Sequence, residues 1–276
     1  MFLIDANSTP LLKSKRESFH LCVMILHYLA KRTRPDILTA VSFCATRVLS
    51  PTEEYDKKLN RILGFLLRTQ HQQLILKTGN KLQLRAYVDA SFGVYKDGKS
   101  VTGIVLVLGD ATIYVKSSKQ KIVTRSSTES ELVGISDALS QILWTREFLI
   151  RQGLSIGPAV VYQDNQSTIF LANKGRSTSE RSRHTKIRYF FVAHYVEAKE
   201  IEIEIEYLPT ADVIADILTK PLHGSLFLKF AAIMTGTPTK LPSTFAEVIY
   251  AEVISPQTHM LQTKQSPLLE LSAAQP

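Results

Sequence analysis

The sequence predicts an α/β fold in which helices flank a mixed five-stranded sheet and a small helical segment precedes that sheet. Three stretches with strand patterns come first, at Leu82–Asp89, Gly103–Leu108 and Ala111–Lys116, and the last two are close enough to form a hairpin. Apolar residues then recur at helical spacing from Thr128 to Gln152 and stop at Gly153, which predicts a long helix packed behind the strands.

Two more strands complete the predicted sheet. Ala159–Tyr162 is wholly apolar, which is typical of a strand buried on both faces in the interior of a sheet. Ile201–Leu208 alternates apolar and acidic residues, which is the pattern of a half-exposed strand. We expect short helices near Gln166–Ala172 and at about Lys186–Ala198, and an α-helix carrying Asp216 after the last strand.

The N-terminal part of the chain predicts a small layer of helices. Apolar residues recur at helical spacing from Ser18 to Leu49, and Pro35 divides this stretch into two helices. A third helix follows Thr52, which we expect to cap it, and ends near Thr69.

The chain is expected to divide into three parts. Residues 1–80 form the helical segment, 81–224 form the domain that contains the sheet, and 225–276 form a short helix followed by a tail. Beyond Thr237 the composition shifts to Pro, Thr, Ser and Gln, which is typical of flexible segments.

Composition and charge narrow the classes of function. With 276 residues, 45% hydrophobic and 21% charged, the chain is long and apolar enough to bury a core. A net charge of +8 and a pI near 9.4 favour a polyanionic partner such as nucleic acid. Cys22 and Cys44 lack the spacing of a zinc site or a disulfide framework. No apolar run approaches the ~18 residues of a membrane span, and no signal pattern begins the chain, so we expect an intracellular protein, cytoplasmic or nuclear.

Four acidic residues stand at informative places in these elements. Asp89 ends the first strand, Glu131 lies at the start of the long helix, Asp164 follows the buried strand and Asp216 lies on the late helix. Hard divalent cations prefer carboxylate oxygens, and two such ions roughly 3.5–4 Å apart activate a water and stabilise the leaving oxygen of a phosphodiester. The order of these acids favours a two-metal nuclease.

Each acid also has a purely structural interpretation. Asp89 fits a turn cap, and Thr128 with Glu131 fits a capping box. Asp164 fits a helix cap, and Asp216 fits a solvated acid on a helix. Their spacing alone leaves both interpretations open.

The motifs around the acids carry a family resemblance. They are Tyr87–Ser91, Ser127–Leu132, Tyr162–Ser167 and Ala215–Lys220, reinforced by Ser177–Arg181 and Ile187–Val192. From Leu82 to about Gly224 the chain resembles the ribonuclease H domain in the C-terminal part of copia-type retrotransposon Pol polyproteins. Upstream, Phe19 and Tyr28–Ile37 resemble the end of the reverse transcriptase that precedes this domain in such polyproteins.

The resemblance implies a ribonuclease H-like sheet and an endonuclease that uses two Mg²⁺ ions, or Mn²⁺, to hydrolyse the RNA strand of RNA–DNA hybrids. Its implied catalytic residues and metal ligands are Asp89, Glu131, Asp164 and Asp216. In the family pattern the Glu directly precedes a large apolar residue, here Leu132, which selects Glu131 and leaves Glu129 facing solvent. Implied partners are an RNA–DNA hybrid and a reverse transcriptase, with no membrane.

A hybrid duplex is recognised through its shape, phosphates and 2′-hydroxyls, so hydroxyl, amide and basic side chains near the acids are candidate contacts. These candidates are Ser91, Ser127, Asn165, Gln166, Arg181, Arg183 and Lys186. Many members of the wider family carry a His after the last strand, where this chain has Pro209–Ala211. His184 precedes the preceding helix, so we do not assign that role to it.

Three other functions are compared with the ribonuclease H interpretation. The chain has no Tyr-x-Asp-Asp motif, which argues against polymerisation. An integrase-type nuclease would share the fold but would carry a Glu as its final acid, whereas this chain has Asp216. The second hypothesis is a non-catalytic, transposon-derived fragment that binds nucleic acid or is inert.

Overall fold

The computed structural model describes residues 7–77, 79, 81–174, 188, 191–196 and 203–237, which all belong to one compact unit, Met1–Lys240. Several expectations lie outside the described residues. They concern the candidates Arg181, Arg183 and Lys186, also His184, much of the helix at 186–198, the first two residues of the strand at 201–208, and the tail from 238 onward.

The sheet has five strands, as the sequence predicts. They are β1 (Leu84–Ser91), β2 (Val101–Leu108), β3 (Ala111–Lys119), β4 (Ala159–Gln163) and β5 (Ile203–Tyr207). Their order is β3-β2-β1-β4-β5, with β1, β2 and β3 antiparallel, β4 parallel to β1, and β5 parallel to β4. Because β4 lies between two strands, its side chains meet the protein interior on both faces, which accounts for its apolar sequence.

The long helix α4 (Ser127–Arg151) covers one face of this sheet. Its residues Leu132, Ile135 and Leu139 are buried in one core with Val88 and Leu106 of the sheet. Complete burial of each such side chain contributes about 1.5–3 kcal/mol relative to exposure. The helix α5 (Gln166–Lys174) follows β4, and residues 188 and 191–196 are also helical.

Helices from both ends of the described chain cover the other face. They are α1 (Lys13–Arg32), α2 (Leu38–Ala45), α3 (Glu53–Arg68) and the final helix Gly224–Thr235. Pro35 begins a short 3₁₀ helix between α1 and α2, so the predicted break is confirmed. Phe43 of α2 shares a core with Val105 of β2 and Leu218, so this layer packs directly on the sheet.

The prediction that the Thr52 side chain caps α3 is wrong. Its side chain accepts no hydrogen bond from the start of α3. Instead, the N–H of Glu53 donates to the carbonyl of Thr9 at 2.9 Å, and the N–H of Glu54 donates to Ser8 Oγ at 3.1 Å. Residues more than 40 positions away satisfy these donors, and a local sequence pattern does not contain that information.

The α-helix expected around Asp216 is also wrong. Two short 3₁₀ helices, Thr210–Asp212 and Ile214–Leu218, follow β5 instead. The second packs against β1 and β2 with all five of its residues buried. No helix among the described residues has both the length and the apolar character needed to cross a bilayer.

Candidate metal centre

Three of the four predicted acids converge at one end of the sheet. Carboxylate oxygens of Asp89, Glu131 and Asp164 all lie within 4.8 Å of one another. Asp89 lies within β1, paired in register with Gly103, so the expectation that it ends the strand or caps a turn is wrong. Lys220 Nζ lies 2.7 Å from Asp216 Oδ1 and 3.6 Å from Asp89 Oδ1, so Asp216 stands at the edge of the same cluster.

Glu131 is not part of the helix cap. Ser126 caps α4 by accepting from the N–H of Glu129 at 3.2 Å, and Glu129 Oε2 accepts from the N–H of Arg125 at 2.7 Å. Glu129 is therefore a half-buried capping residue rather than a solvent-facing one. The cap lies two residues earlier than the one considered for Thr128, so Glu131 has no part in it; Glu131 is 5% exposed and belongs to the acidic cluster.

Asp164 does not cap a helix either. Asn165 Oδ1 accepts from the N–H of Thr168 at 3.0 Å, so Asn165 caps α5. Asp164 Oδ2 accepts from the hydroxyl of Thr210 at 2.7 Å. The loop after β5 therefore orients the carboxylate that follows β4.

Gln163 is a site residue that the sequence reasoning missed. It is completely buried, and its Nε2 donates to Glu131 Oε2 at 3.1 Å. Its Oε1 accepts from the N–H groups of Asp164 at 2.8 Å and Asn165 at 3.2 Å. The sequence signal was the polar residue that ends an otherwise apolar buried strand.

Lys220 and Thr219 were also missed. Lys220 Nζ lies 2.7 Å from Asp216 Oδ1 and 3.6 Å from Asp89 Oδ1, and the Thr219 hydroxyl donates to Asp89 Oδ2. The four-residue spacing between Asp216 and Lys220 was the available signal, since such spacing places opposite charges side by side in a helical turn.

Burial governs the electrostatics of the cluster. It raises the pKa of Asp89 to about 7, with the negative charges of Asp216 and Asp164 adding to the effect, while the Lys220 ammonium and the Thr219 hydroxyl oppose it. The pKa of Glu131 is raised by burial and then by Asp89. Burial also raises the pKa of Asp216 against the opposing effect of Lys220.

Burial lowers the pKa of Lys220, whereas the neighbouring carboxylates raise it. The carboxylates of Asp89 and Asp216 outweigh burial and leave the pKa raised. One ammonium thus stands against four clustered carboxyl groups in the described part of the chain. Closely spaced carboxylates are stabilised as anions by cations, so the donor set fits a divalent metal.

The candidate substrate contacts within the described residues differ in their exposure. Ser91 ends β1 and is half-buried, Ser127 begins α4 and is exposed, and Gln166 is exposed at the start of α5. Asn165 is occupied as a helix cap.

Sequence comparisons find relatives in plants. The chain is 37% identical over 209 residues to the retrovirus-related Pol polyprotein from transposon RE1 of Arabidopsis thaliana, which covers 75% of this chain and 14% of the relative. It is 30% identical over 203 residues to that from transposon TNT 1-94 of Nicotiana tabacum, covering 73% of this chain and 15% of the relative. The chain therefore spans only a small part of these relatives' length. No protein-family model matches it.

Structure comparisons find more distant similarities. A ribonuclease H1 isolated from compost is 15% identical, with 50% of this chain and 94% of that chain covered and a TM-score of 0.39. The foamy viral protease-reverse transcriptase in complex with double-stranded DNA is 18% identical, with 75% and 40% covered and a TM-score of 0.49. The strand order β3-β2-β1-β4-β5 and the long helix behind it identify the fold as ribonuclease H-like. By sequence and fold together, the chain belongs to the family of copia-type retrotransposon Pol polyproteins and has a ribonuclease H-like fold.

Proposed function

We propose that this segment is a metal-dependent endonuclease that hydrolyses the RNA strand of RNA–DNA hybrids. One observation carries the proposal: three separate elements bring carboxylate oxygens of Asp89, Glu131 and Asp164 within 4.8 Å of one another, and Lys220 is paired with both Asp89 and Asp216. Carboxylates are buried in such numbers only where cations or protons compensate their charge.

In this proposal Asp89, Glu131 and Asp164 would hold one Mg²⁺ or Mn²⁺ ion, and Asp89 with Asp216 would hold a second. When bound, such ions supply a water of lowered pKa and stabilise the oxygen that departs from the phosphodiester. The protein's part is to orient the carboxylates. Gln163 holds Glu131, Thr210 holds Asp164, and Thr219 holds one oxygen of Asp89. Cleavage leaves 3′-hydroxyl and 5′-phosphate ends.

The proposed substrate contacts are Ser91, Ser127, Asn165, Gln166, Arg181, Arg183 and Lys186, which offer donors to phosphates and 2′-hydroxyls. We also propose the division of the chain into 1–80, 81–224 and 225–276. Residues 1–80 would then be a helical remnant resembling the end of a reverse transcriptase, and a reverse transcriptase is the proposed protein partner.

Cleavage of a labelled RNA–DNA hybrid tests the proposal. We expect Mg²⁺-dependent cutting by the natural chain and none by Asp164→Asn, because the amide lacks the negative charge that binds the ion. The matched control is Asp110→Asn, which changes an exposed acid in the hairpin turn and retains cutting. Equal cutting by the natural chain and Asp164→Asn would contradict the proposal. Hybrid binding without cutting by either protein would favour the non-catalytic, nucleic-acid-binding alternative, which the net charge of +8 supports.

A further inference from the structure

The acidic cluster contains its own cation, and that cation is not centrally placed. Lys220 Nζ approaches Asp216 Oδ1 to 2.7 Å and Asp89 Oδ1 to 3.6 Å. The partners of the other two acids are neutral. Glu131 accepts from the Gln163 amide and the N–H of Ala90, and Asp164 accepts from the Thr210 hydroxyl. Among the described residues, Lys220 thus makes ion pairs with Asp216 and Asp89, whereas the hydrogen-bond partners of Glu131 and Asp164 carry no charge.

The environment of Lys220 allows its ammonium group to move away from Asp89 and Asp216. Its side chain is 37% exposed, whereas those of Asp89 and Asp216 are 2% and 4% exposed. A lysine carries its charge on a flexible four-carbon stem, so its ammonium moves away at little steric cost while the buried carboxylates stay in place. The carboxylates are fixed ligands, and the lysine is the exchangeable partner.

On this geometry, and resting on the proposed function, we propose that Lys220 is an internal counter-cation that makes the two metal positions unequal. At the position formed by Asp89, Glu131 and Asp164, the ion pair with Lys220 involves Asp89 alone and has the longer distance of 3.6 Å, so this position fills first. The position between Asp89 and Asp216 already holds an ammonium, so a second ion binds there only by displacing Lys220. Lys220 therefore acts as a positioning residue that sets the divalent-ion concentration at which the site is completed.

Calorimetric titration of the protein with Mn²⁺, without nucleic acid, tests this inference. We expect one tighter and one weaker ion in the natural chain. Lys220→Gln removes the competitor, so the second ion should bind at least about tenfold more tightly, a coupling of ordinary size between two binding events. Lys220→Arg keeps the positive charge and should keep the two affinities apart. Unchanged affinities in Lys220→Gln, or an equal effect of Lys220→Arg, would overturn the inference.

Crystals of the natural chain soaked at low and high Mn²⁺ provide a second test, which needs no variant to fold. We expect a single anomalous peak beside Asp89, Glu131 and Asp164 at low Mn²⁺. At high Mn²⁺ a second peak should appear beside Asp216, with Lys220 Nζ moved away. A second ion that binds while Lys220 keeps its contact with Asp216 would overturn the inference.

These tests are separate from hydrolysis. If the ions bind as described and the hybrid is not cut, the proposed function fails while the role of Lys220 stands. If the hybrid is cut and Lys220→Gln leaves both ion affinities unchanged, the inference fails while the function stands.

Discussion

Gln163 Nε2 donates to Glu131 Oε2 across 3.1 Å, and this bond joins the carboxyl end of β4 to the first turns of α4. The same side chain accepts from the backbone N–H groups of Asp164 and Asn165. A single buried amide thus determines where two of the four acids lie relative to each other.

Replacing Gln163 by Leu should both destabilise the protein and disturb the cluster. Two backbone N–H groups and one carboxylate lose their partner, and each buried group left unsatisfied costs about 1–3 kcal/mol. We expect the free energy of unfolding in urea to fall by at least that amount and Mn²⁺ to bind more weakly. Gln166→Leu, at an exposed position three residues later, should change the unfolding free energy by less than about 0.5 kcal/mol. Equal effects of the two substitutions would show that Gln163 has no positioning role.

Gly103→Ala should separate β2 from the 3₁₀ helix that carries Asp216. A Cβ at Gly103 would lie 2.8 Å from the carbonyl oxygen of Ala215 and 2.8 Å from Thr219 Cγ2, closer than real Cβ contacts allow. Overpacking of this kind costs about 1–3 kcal/mol. Because Gly103 is paired with Asp89, the shift should also reduce hybrid cleavage.

The matched control for this change is Gly157→Ala. A Cβ at Gly157 meets no heavy atom within 4 Å in the described structure, so thermal denaturation should detect almost no change. If the Gly103→Ala protein has the same melting temperature and cleavage rate as the unsubstituted protein, the close packing of β2 against the segment Ala215–Thr219 is unimportant.

Without divalent ions, stability should fall as pH rises. Burial raises the pKa of Asp89 from 3.8 to about 7, so the folded protein holds a proton that the unfolded chain has released between these values. The contribution of this group is complete below about pH 4 and is lost as pH rises through about 7, with a slope of at most about 1.4 kcal/mol per pH unit.

Thermal melts in a chelator, compared between the natural chain and Asp89→Asn, isolate this contribution. The natural chain should lose melting temperature relative to the variant as pH rises from about 4 to about 8. Mg²⁺ should restore the melting temperature most at the alkaline end, because metal ligands must be deprotonated to bind. A difference between the two proteins that is independent of pH would contradict the raised pKa.

The N-terminal helices should depend on a buried ion pair. Arg34 donates to both oxygens of Asp36, at 3.0 and 2.8 Å, and to the carbonyl of Thr69 at 3.1 Å, which ties the start of α2 to the end of α3. Asp36→Ala leaves the buried guanidinium without its anion, so we expect a loss of about 3–5 kcal/mol in chemical denaturation. Asp110→Ala breaks the exposed pair with Arg85 and should cost about 1 kcal/mol or less.

Local sequence patterns predicted the strands and the long helix correctly, but they predicted an α-helix around Asp216 where the structure has a 3₁₀ helix. The continuous apolar run Ala159–Tyr162 and the helical spacing of apolar residues from Thr128 onward both predict burial, and both segments are largely buried in the structure. Around Asp216 the same apolar spacing fits an α-helix or a 3₁₀ helix, and contact with β1 and β2 selected the tighter form. The cap of α4 lies at Ser126 rather than Thr128, and Glu131, two residues beyond the capping Glu129, belongs to the acidic cluster.

The amino-acid order alone specified the sheet, the long helix and the identity of the four acids, because each depends on residue types and on neighbours within one element. Tertiary packing decided that Asp89, Glu131, Asp164 and Asp216 meet, that Gln163 aligns two of them and that Lys220 balances two others. The physical reason is that charge interactions depend on distance and on burial. Both quantities are set only when segments that are distant in the sequence pack against one sheet.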